Sequence, residues 1–203
     1  MGRSRMSHRK MAQKEINMTI QLHNRTKYIL TNNDLFESIK KRLSDNHMGA
    51  TIIVPHVCNN IDLFGAGFAA QVAQHYPEVK ANYHMLGKSF LKTNLGYSQI
   101  LKVHEEPKYR HKLFFVNMIA QNGVRGKDNQ RPLNYAALVS SMMQVSKHIQ
   151  MNTGFLNKQE NVEIHAPKFG SGLAGGNWHF ISDLIEDIWG KYPVYIYNYK
   201  TKH

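Results

Sequence analysis

Short apolar runs and stretches of helical periodicity take turns along this chain. The runs that predict strands are "TIQLHN", "RTKYILT", "ATIIVPHV", "YSQILKV", "KLFFVNMIA", "VEIHA" and "PVYIYNY". Between them, helical spacing predicts one helix from about Asp34 to Leu43 and another in "FAAQVAQHY" that stops at Pro77. Strands that alternate with helices predict an α/β sandwich around a mainly parallel or mixed sheet.

Two later helices complete this pattern, and each carries its apolar residues along one face. Pro132 suits the first turn of the earlier helix, because proline is favoured at the first helical position. The apolar positions at helical spacing are Leu138, Met142, Val145 and Ile149 in that helix, and Trp178, Ile181, Ile185 and Ile188 in the last one.

Two glycine-rich stretches, "FGAG" and "FGSGLAGG", each follow a predicted strand and lead into a helix. In open α/β sheets, ligands bind beyond the carboxyl ends of the strands, where such loops lie. Glycine allows close approach of a ligand, and the following helix offers unpaired N–H groups with a positive dipole. Each loop could hold a phosphate and the pair a diphosphate, or both are ordinary tight turns.

The familiar nucleotide and metal motifs fit poorly. "GAGFAA" matches a dinucleotide-binding pattern, but no acidic residue ends a following strand at the required spacing. "NYHMLGKS" ends like a phosphate-binding loop, yet Asn82 stands where glycine is needed. The 12 histidines lack metal-ligand spacing and Cys58 has no second cysteine, so we expect no metal and no cofactor.

Two polar residues near predicted strand ends each have two interpretations. Asp34 and Glu37 are spaced as at a capped helix start, although a carboxylate there could also accept a hydrogen bond from an adenine amino group. His56 closes an apolar strand beside the first glycine loop, where it is either a catalytic or a structural histidine.

Composition predicts one domain and an anionic partner. With 203 residues and 42% hydrophobic content, the chain can bury one substantial core. Its formal charge of +12 favours a nucleic acid, an acidic membrane or a phosphorylated small molecule. The sequence shows no signal peptide and a single cysteine, so we expect a cytoplasmic protein without disulfides.

Part of the positive charge lies at the start of the chain, where residues 1–18 hold five basic residues against one acidic residue. Because this segment has few apolar residues, we expect a basic, disordered tail that does not bind nucleic acid. Residues 19–203 are then predicted to form the single domain.

Three segments, "HVCNNIDLFGAGFAAQVAQHYPEV", "FFVNMIAQNGV" and "PKFGSGLAGGNW", together resemble the macrodomain family. The nearest branch is similar to the ADP-ribose 1''-phosphate phosphatases and the terminal ADP-ribose glycohydrolases. The resemblance runs from about Lys27 to Tyr199. It implies a three-layer α/β/α sandwich with a central mixed sheet, and a cleft for ADP-ribose or ADP-ribose 1''-phosphate across the end of the sheet. We expect a monomer that binds neither membrane nor nucleic acid.

The resemblance also assigns roles to residues. It implies that Asp34 reads adenine, that Asn59 lies near the distal ribose and that Tyr199 lies beside the adenine. The two loops would hold the diphosphate. The remaining ligand-binding residues would be Leu35, Phe64, Gly65, Ala66, Gly67, Phe68, Phe169, Gly170, Ser171, Gly172, Leu173 and Ala174.

Catalysis would use His56 as general acid or base and Asn59 to orient the ribose, so that terminal phosphate is released from ADP-ribose 1''-phosphate. The glycohydrolases carry a lysine and an aspartate where this chain has Ile119 and Ala174, which argues against their mechanism. Two alternatives stay open at this point: a non-catalytic module that binds ADP-ribose or a related nucleotide, and a basic nucleic-acid binder.

Overall fold

The structure, a computed structural model, describes residues 28–46, 49–153 and 161–198. Within these residues six strands and six helices follow one another in the order β1 (Ile29–Thr31), α1 (Leu35–Leu43), β2 (Ala50–Asn59), α2 (Gly67–His75), α3 (Pro77–Met85), α4 (Gly87–Thr93), β3 (Ser98–Glu106), β4 (His111–Gln121), α5 (Tyr135–Thr153), β5 (Asn161–Pro167), α6 (Trp178–Trp189) and β6 (Val194–Tyr197).

The strands form one mixed sheet in the order β1-β6-β5-β2-β4-β3. Every neighbouring pair is parallel except β3 with β4, so a single antiparallel strand lies at one edge. The carboxyl ends of the five parallel strands therefore meet at one end of the sheet. The loops that follow β2, β4 and β5 emerge there together.

Helices cover both faces of the sheet and produce two cores. On one face, Ile53 of β2 and Ile164 of β5 pack with residues of α5 and α6 such as Leu138 and Ile185. On the other face, residues of β2 and β4 pack against α1 to α4; they include Ile52, Val54, Phe115, Ile39, Val72, Tyr83 and Leu91. Because β2 is buried on both faces, its sequence is a continuous apolar run and does not alternate.

The sequence pattern predicts neither α3 nor α4. Pro77 was interpreted only as the end of a helix, whereas it is also the first residue of α3. The predicted start of α5 was also wrong, because α5 begins at Tyr135 and not at Pro132. The Asn134 side chain accepts a hydrogen bond from the amide of Ala137 at 2.9 Å, so an asparagine cap decides where α5 starts.

Some predictions fall on residues outside the described part of the chain. The basic tail at 1–18 and the strand "TIQLHN" lie there, and of "RTKYILT" only Ile29–Thr31 is described as a strand. The division into a tail and one domain at 19–203 therefore stays a prediction. Among the described helices, none has the length and apolar character that crossing a membrane requires.

Candidate functional site

A cavity of about 590 Å³ opens beyond the carboxyl ends of β2 and β4. Its walls come from the end of β2 and the following loop, from α2 and α3, from the loop after β4, and from one residue of the second glycine loop. The lining residues are Val57, Cys58, Asn59, Asp62, Leu63, Phe64, Gly65, Ala66, Ala69, Lys80, His84, Gln121, Val124, Arg125 and Leu173. Its volume is in the range of sites for small molecules and cofactors.

Asn59 shapes the wall made by the first loop. Its Oδ1 accepts hydrogen bonds from the amides of Ile61 and Leu63 at 3.0 and 3.2 Å and from the Tyr83 hydroxyl at 3.1 Å. Its Nδ2 donates to the Leu63 carbonyl at 2.6 Å. An amide nitrogen has two donors, so one N–H of Asn59 remains for a ligand in the cavity, while the other atoms hold the loop.

The first loop, residues 63–66, leads directly into the amino terminus of α2. Gly65 and Ala66 line the cavity, and a Cβ added to Gly65 would meet no atom within 4 Å. Ala66 is the N-cap of α2, and its side chain accepts no hydrogen bond from the first amides of this helix. The partial positive charge of an uncapped helix end therefore lies at the cavity wall.

The second loop, residues 169–176, contributes less to the cavity. Only Leu173 lines it. The amides of Gly175 and Gly176 already donate to the carbonyls of Gly172 and Gly170 at 3.0 and 2.8 Å. The Phe169 amide donates to the Pro167 carbonyl at 2.6 Å, so the amides that remain for an anion in this loop are those of residues 170–174.

Most glycines of the second loop are required by packing. A Cβ on Gly176 would lie 2.4 Å from Leu133 Cδ2, and a Cβ on Gly175 would lie 2.5 Å from the Gln130 carbonyl oxygen. Gly170 has a φ of +75°, which disfavours other residues. Gly172 differs, since a Cβ there would meet nothing within 4 Å.

His56 does not line the cavity. Its imidazole is 1% exposed and packs edge-to-face against Phe64 and Phe68, and its Nε2 has no hydrogen-bond partner among the described residues. Burial lowers the pKa of His56 to about 4, although a hydrogen bond with Asn117 acts in the opposite direction. This neutral, enclosed imidazole corresponds to the structural alternative for His56, and its placement does not support the predicted proton transfer.

Three other predicted site residues do not line the cavity, and a fourth lies outside the described part of the chain. Asp34 is exposed at the carboxyl end of β1, where its Oδ1 accepts the Glu37 amide at 3.0 Å and caps α1. Leu35 and Phe169 are buried in the two cores, so their side chains stabilise the fold. Tyr199 lies outside the described residues.

The remaining predicted ligand residues divide between the cavity and its surroundings. Phe68 packs on Phe36 and His56, and Gly67 begins α2 with a φ of +58°. Gly170 and Ala174 are buried, while Ser171 and Gly172 are accessible on the second loop. Those that line the cavity are Asn59, Phe64, Gly65, Ala66 and Leu173.

Five charged or titratable residues of the cavity were not predicted from the sequence: Cys58, Asp62, Lys80, His84 and Arg125. His84 Nδ1 lies 2.6 Å from Asp62 Oδ1. Lys80 and His84 are four residues apart in α3, a spacing that puts them on one face of a helix. If a helix had been predicted from Pro77 onward, the four-residue spacing of Lys80 and His84 would have indicated that they lie on one face.

No group of three or more His, Cys, Asp or Glu side chains is arranged to hold a metal ion within the described ranges. Ile119 and Ala174 are both buried, at 0% and 5% exposure. The two positions at which the sequence resemblance implies lysine and aspartate in the glycohydrolases thus hold core residues without a titratable group in this chain.

No family model matches the chain. An uncharacterized 17.5 kDa protein from the tk-vs intergenic region of Enterobacteria phage T4 is 24% identical over 148 residues, which is 72% of this chain and 86% of that protein. A protein from Bacteroides thetaiotaomicron has a similar structure, with a TM-score of 0.64, 24% identity, and coverage of 85% of this chain and 98% of the other.

Two more similar structures are a protein named as a macrodomain protein and a protein solved with a ligand. A macrodomain protein from Streptomyces coelicolor has a TM-score of 0.56 and 24% identity, over 85% of this chain and 99% of that one. Thermosipho africanus DarTG, solved in complex with ADP-ribose, has a TM-score of 0.59 and 17% identity, over 88% of this chain and 43% of that one. At these identities the likeness shows the fold: the chain has the macrodomain fold, and the predicted three-layer α/β/α sandwich is confirmed.

Proposed function

We propose that the protein binds ADP-ribose in the cavity beyond β2 and β4. The observation that carries this proposal is the structure of the first loop. Gly65 and Ala66 line the cavity there without a large side chain, next to the amino terminus of α2, which has no side-chain cap. Such a helix end favours phosphate, because its amides are unpaired and its dipole is positive. The ADP-ribose bound by Thermosipho africanus DarTG, a protein of the same fold, supports the choice of ligand.

In this proposal the parts of ADP-ribose meet different surfaces. The diphosphate lies between the first loop and the amides of residues 171–174, and the distal ribose lies against Phe64 and the free N–H of Asn59. Lys80 and Arg125 line the cavity and add positive charge for the phosphates. The adenine lies toward Asp34, whose Oδ2 can accept its amino group while Oδ1 caps α1.

We further propose that the protein removes the terminal phosphate of ADP-ribose 1''-phosphate, as the sequence resemblance implies. The cations that line the cavity suit a ligand with this additional phosphate. A second candidate, a module that binds ADP-ribose without chemistry, is favoured by one observation: His56 is enclosed, its pKa is lowered to about 4, and it does not line the cavity.

Calorimetry with ADP-ribose, AMP and ribose 5-phosphate tests the binding proposal. We expect ADP-ribose to bind at least tenfold more tightly than either fragment, because only the whole ligand reaches both loops and Asp34. Equal affinity for all three ligands, or none for ADP-ribose, would overturn the proposal. A phosphate-release assay with ADP-ribose 1''-phosphate then separates the enzyme from the binding module.

A competition measurement addresses nucleic-acid binding. If the cavity is specific for ADP-ribose, a short RNA or DNA duplex should not displace it at 150 mM salt. Binding to a nucleic acid instead should weaken steeply with salt, because phosphate contacts release counterions.

A further inference from the structure

Asp62 and His84 form a close polar pair inside the cavity. Asp62 belongs to the loop after β2 and His84 to α3, and their side chains meet at 2.6 Å between Oδ1 and Nδ1. The side chain of Asp62 is 17% exposed and that of His84 is 38% exposed, so the pair is partly sheltered but accessible from the cavity. None of the roles assigned so far uses this pair.

Both partners are held firmly by their neighbours. The Tyr83 hydroxyl donates to the Asn59 carbonyl at 2.7 Å, which ties α3 to the end of β2 directly beside His84. Asp62 has a φ of +64°, a left-handed conformation that is uncommon outside glycine and here lies within the turn fixed by Asn59. A residue held in such a conformation is a candidate for a functional role.

The pair has the geometry of an oriented acid–base group. When a carboxylate accepts the Nδ1–H of an imidazole, the tautomer is set and Nε2 becomes the nitrogen that exchanges a proton with a ligand. His84 lines the cavity, so a bound ligand can approach this nitrogen. His56 lacks both properties, since it is enclosed and is not part of the cavity wall.

Two cations accompany the pair. Lys80 lies one helical turn before His84 in α3, and Arg125 faces the same cavity from the loop after β4. A phosphoryl group that reaches His84 would therefore be near positive charge, which stabilises the charge that develops in phosphoryl transfer.

We propose that His84, oriented by Asp62, is the catalytic acid–base residue for phosphate-monoester hydrolysis in this cavity, and that Lys80 and Arg125 bind the phosphate. This inference rests on the proposed function. Water attacks the phosphorus while His84 Nε2 takes one of its protons. The new P–O bond forms, the ester P–O bond breaks, and the sugar oxygen leaves with the electron pair and receives that proton. The products are ADP-ribose and inorganic phosphate.

The test measures phosphate release from ADP-ribose 1''-phosphate and ADP-ribose affinity on the same purified protein. We expect His84→Gln to lower kcat about 10²- to 10⁴-fold, the usual contribution of a general acid or base. Its affinity for ADP-ribose should stay within about threefold of the unchanged protein, because binding needs no proton transfer. His104→Gln is the matched control, since His104 is exposed on β3 away from the cavity and should change neither value.

Asp62→Asn tests the positioning role with a readout that a purely structural pair would not move. We expect a lower kcat and an altered acid limb of the pH–rate profile, because the amide no longer fixes the imidazole tautomer. The other charged or titratable groups that line the cavity are Cys58 from β2, Lys80 from α3 and Arg125 from the loop after β4. Lys80→Met and Arg125→Met should raise KM and also lower kcat, because both cations bind the phosphate and stabilise the charge that develops on it, and they should leave the acid limb in place.

The outcomes separate this inference from the proposed function. If ADP-ribose does not bind, the proposed function fails. If it binds but no phosphate is released, the binding part of the proposed function stands, and the phosphatase part is overturned together with the catalytic inference. A His84→Gln protein with the activity of the His104→Gln control would also overturn it, and loss of kcat in His56→Gln alone would return the role to His56. If the His84→Gln variant is less stable than the unchanged protein, the test rests on Asp62→Asn. A pH–rate profile of Asp62→Asn that equals that of the unchanged protein would overturn the catalytic role of the pair.

Discussion

The two glycine-rich loops look alike in sequence and differ in what their glycines do. In the first loop, Gly65 faces open space at the cavity wall and the helix that follows has no side-chain cap. In the second loop, Gly175 and Gly176 are fixed by close packing, and the helix that follows is capped by Asn177, which accepts the His179 amide at 2.9 Å. The first loop therefore leaves its amides available, whereas much of the second is occupied by its own structure.

This difference changes how a glycine-rich motif should be interpreted. From glycine density alone, each loop could hold a phosphate or be an ordinary tight turn. The structure shows two kinds of glycine. At some, an added Cβ would clash with a neighbouring atom; at others it would meet no atom, so a ligand could lie there. Only Gly65 and Gly172 belong to the second kind and also have a backbone angle that other residues adopt. The predictions below test this division.

The largest effect on stability should come from Gly176→Ala. The added Cβ would lie 2.4 Å from Leu133 Cδ2 and 2.7 Å from the Gly170 carbonyl oxygen, so backbone or core must shift. Overpacking of this kind costs about 1 to 3 kcal/mol, and we expect the upper end because one clash is with backbone. Chemical denaturation measures it; a loss below about 0.5 kcal/mol would show that the loop is not fixed by packing.

Acidification should lower the free energy of unfolding, because His56 lies in the core behind the first loop, where it packs against Phe64 and Phe68. Unfolded His56 takes up a proton below its ordinary pKa of about 6.5, whereas the folded protein resists protonation until about pH 4. Stability is therefore unaffected above pH 6.5 and falls between pH 6.5 and 4, by up to about 3 kcal/mol at about 1.4 kcal/mol per unit.

Other groups titrate in the same range, so the comparison needs a variant. His56→Gln removes the titrating ring, and its stability should fall less steeply between pH 6.5 and 4 in denaturation series at several pH values. Identical slopes for both proteins would mean that His56 is accessible to protons in the folded state.

Gly65→Val and Gly172→Val should each fold normally and lose ligand. Neither Cβ meets an atom of the free protein, but a branched side chain would occupy the space assigned to the diphosphate. We expect ADP-ribose affinity to fall at least 30-fold, about 2 kcal/mol, with an unchanged melting temperature. Calorimetry on Ala136→Val, an exposed change on α5, provides the control. If Gly172→Val keeps wild-type affinity and Gly65→Val does not, phosphate binding would be assigned to the first loop only.

Asp34→Ala should have the smallest effect and should separate capping from adenine recognition. Loss of the cap on α1 costs about 1 kcal/mol of stability, which a thermal melt detects. Loss of a hydrogen bond to adenine should weaken ADP-ribose and AMP but not ribose 5-phosphate. An equal loss for all three ligands would assign Asp34 to capping alone.

Much of the fold could be predicted because its signals are local. The apolar runs of β2, β4 and β5, the spacing of the apolar face of α6 and the capping pair at Asp34 each report on a few neighbouring residues. α3 was missed because it has almost no apolar face, and α4 because it has only seven residues. The position of the loops after strands also located the site at the carboxyl ends of the sheet.

The sequence by itself thus determined the layers, the end of the sheet that carries the site and the two loops. The tertiary structure decided which residues face the cavity. β2 is buried on both faces, so its sequence does not alternate between apolar and polar residues and does not indicate which way His56 points. In the folded protein the His56 side chain packs in the core. Asp62 and His84 are 22 residues apart and meet only because α3 folds back over the first loop. Such contacts depend on how helices pack on the sheet, which no local pattern encodes.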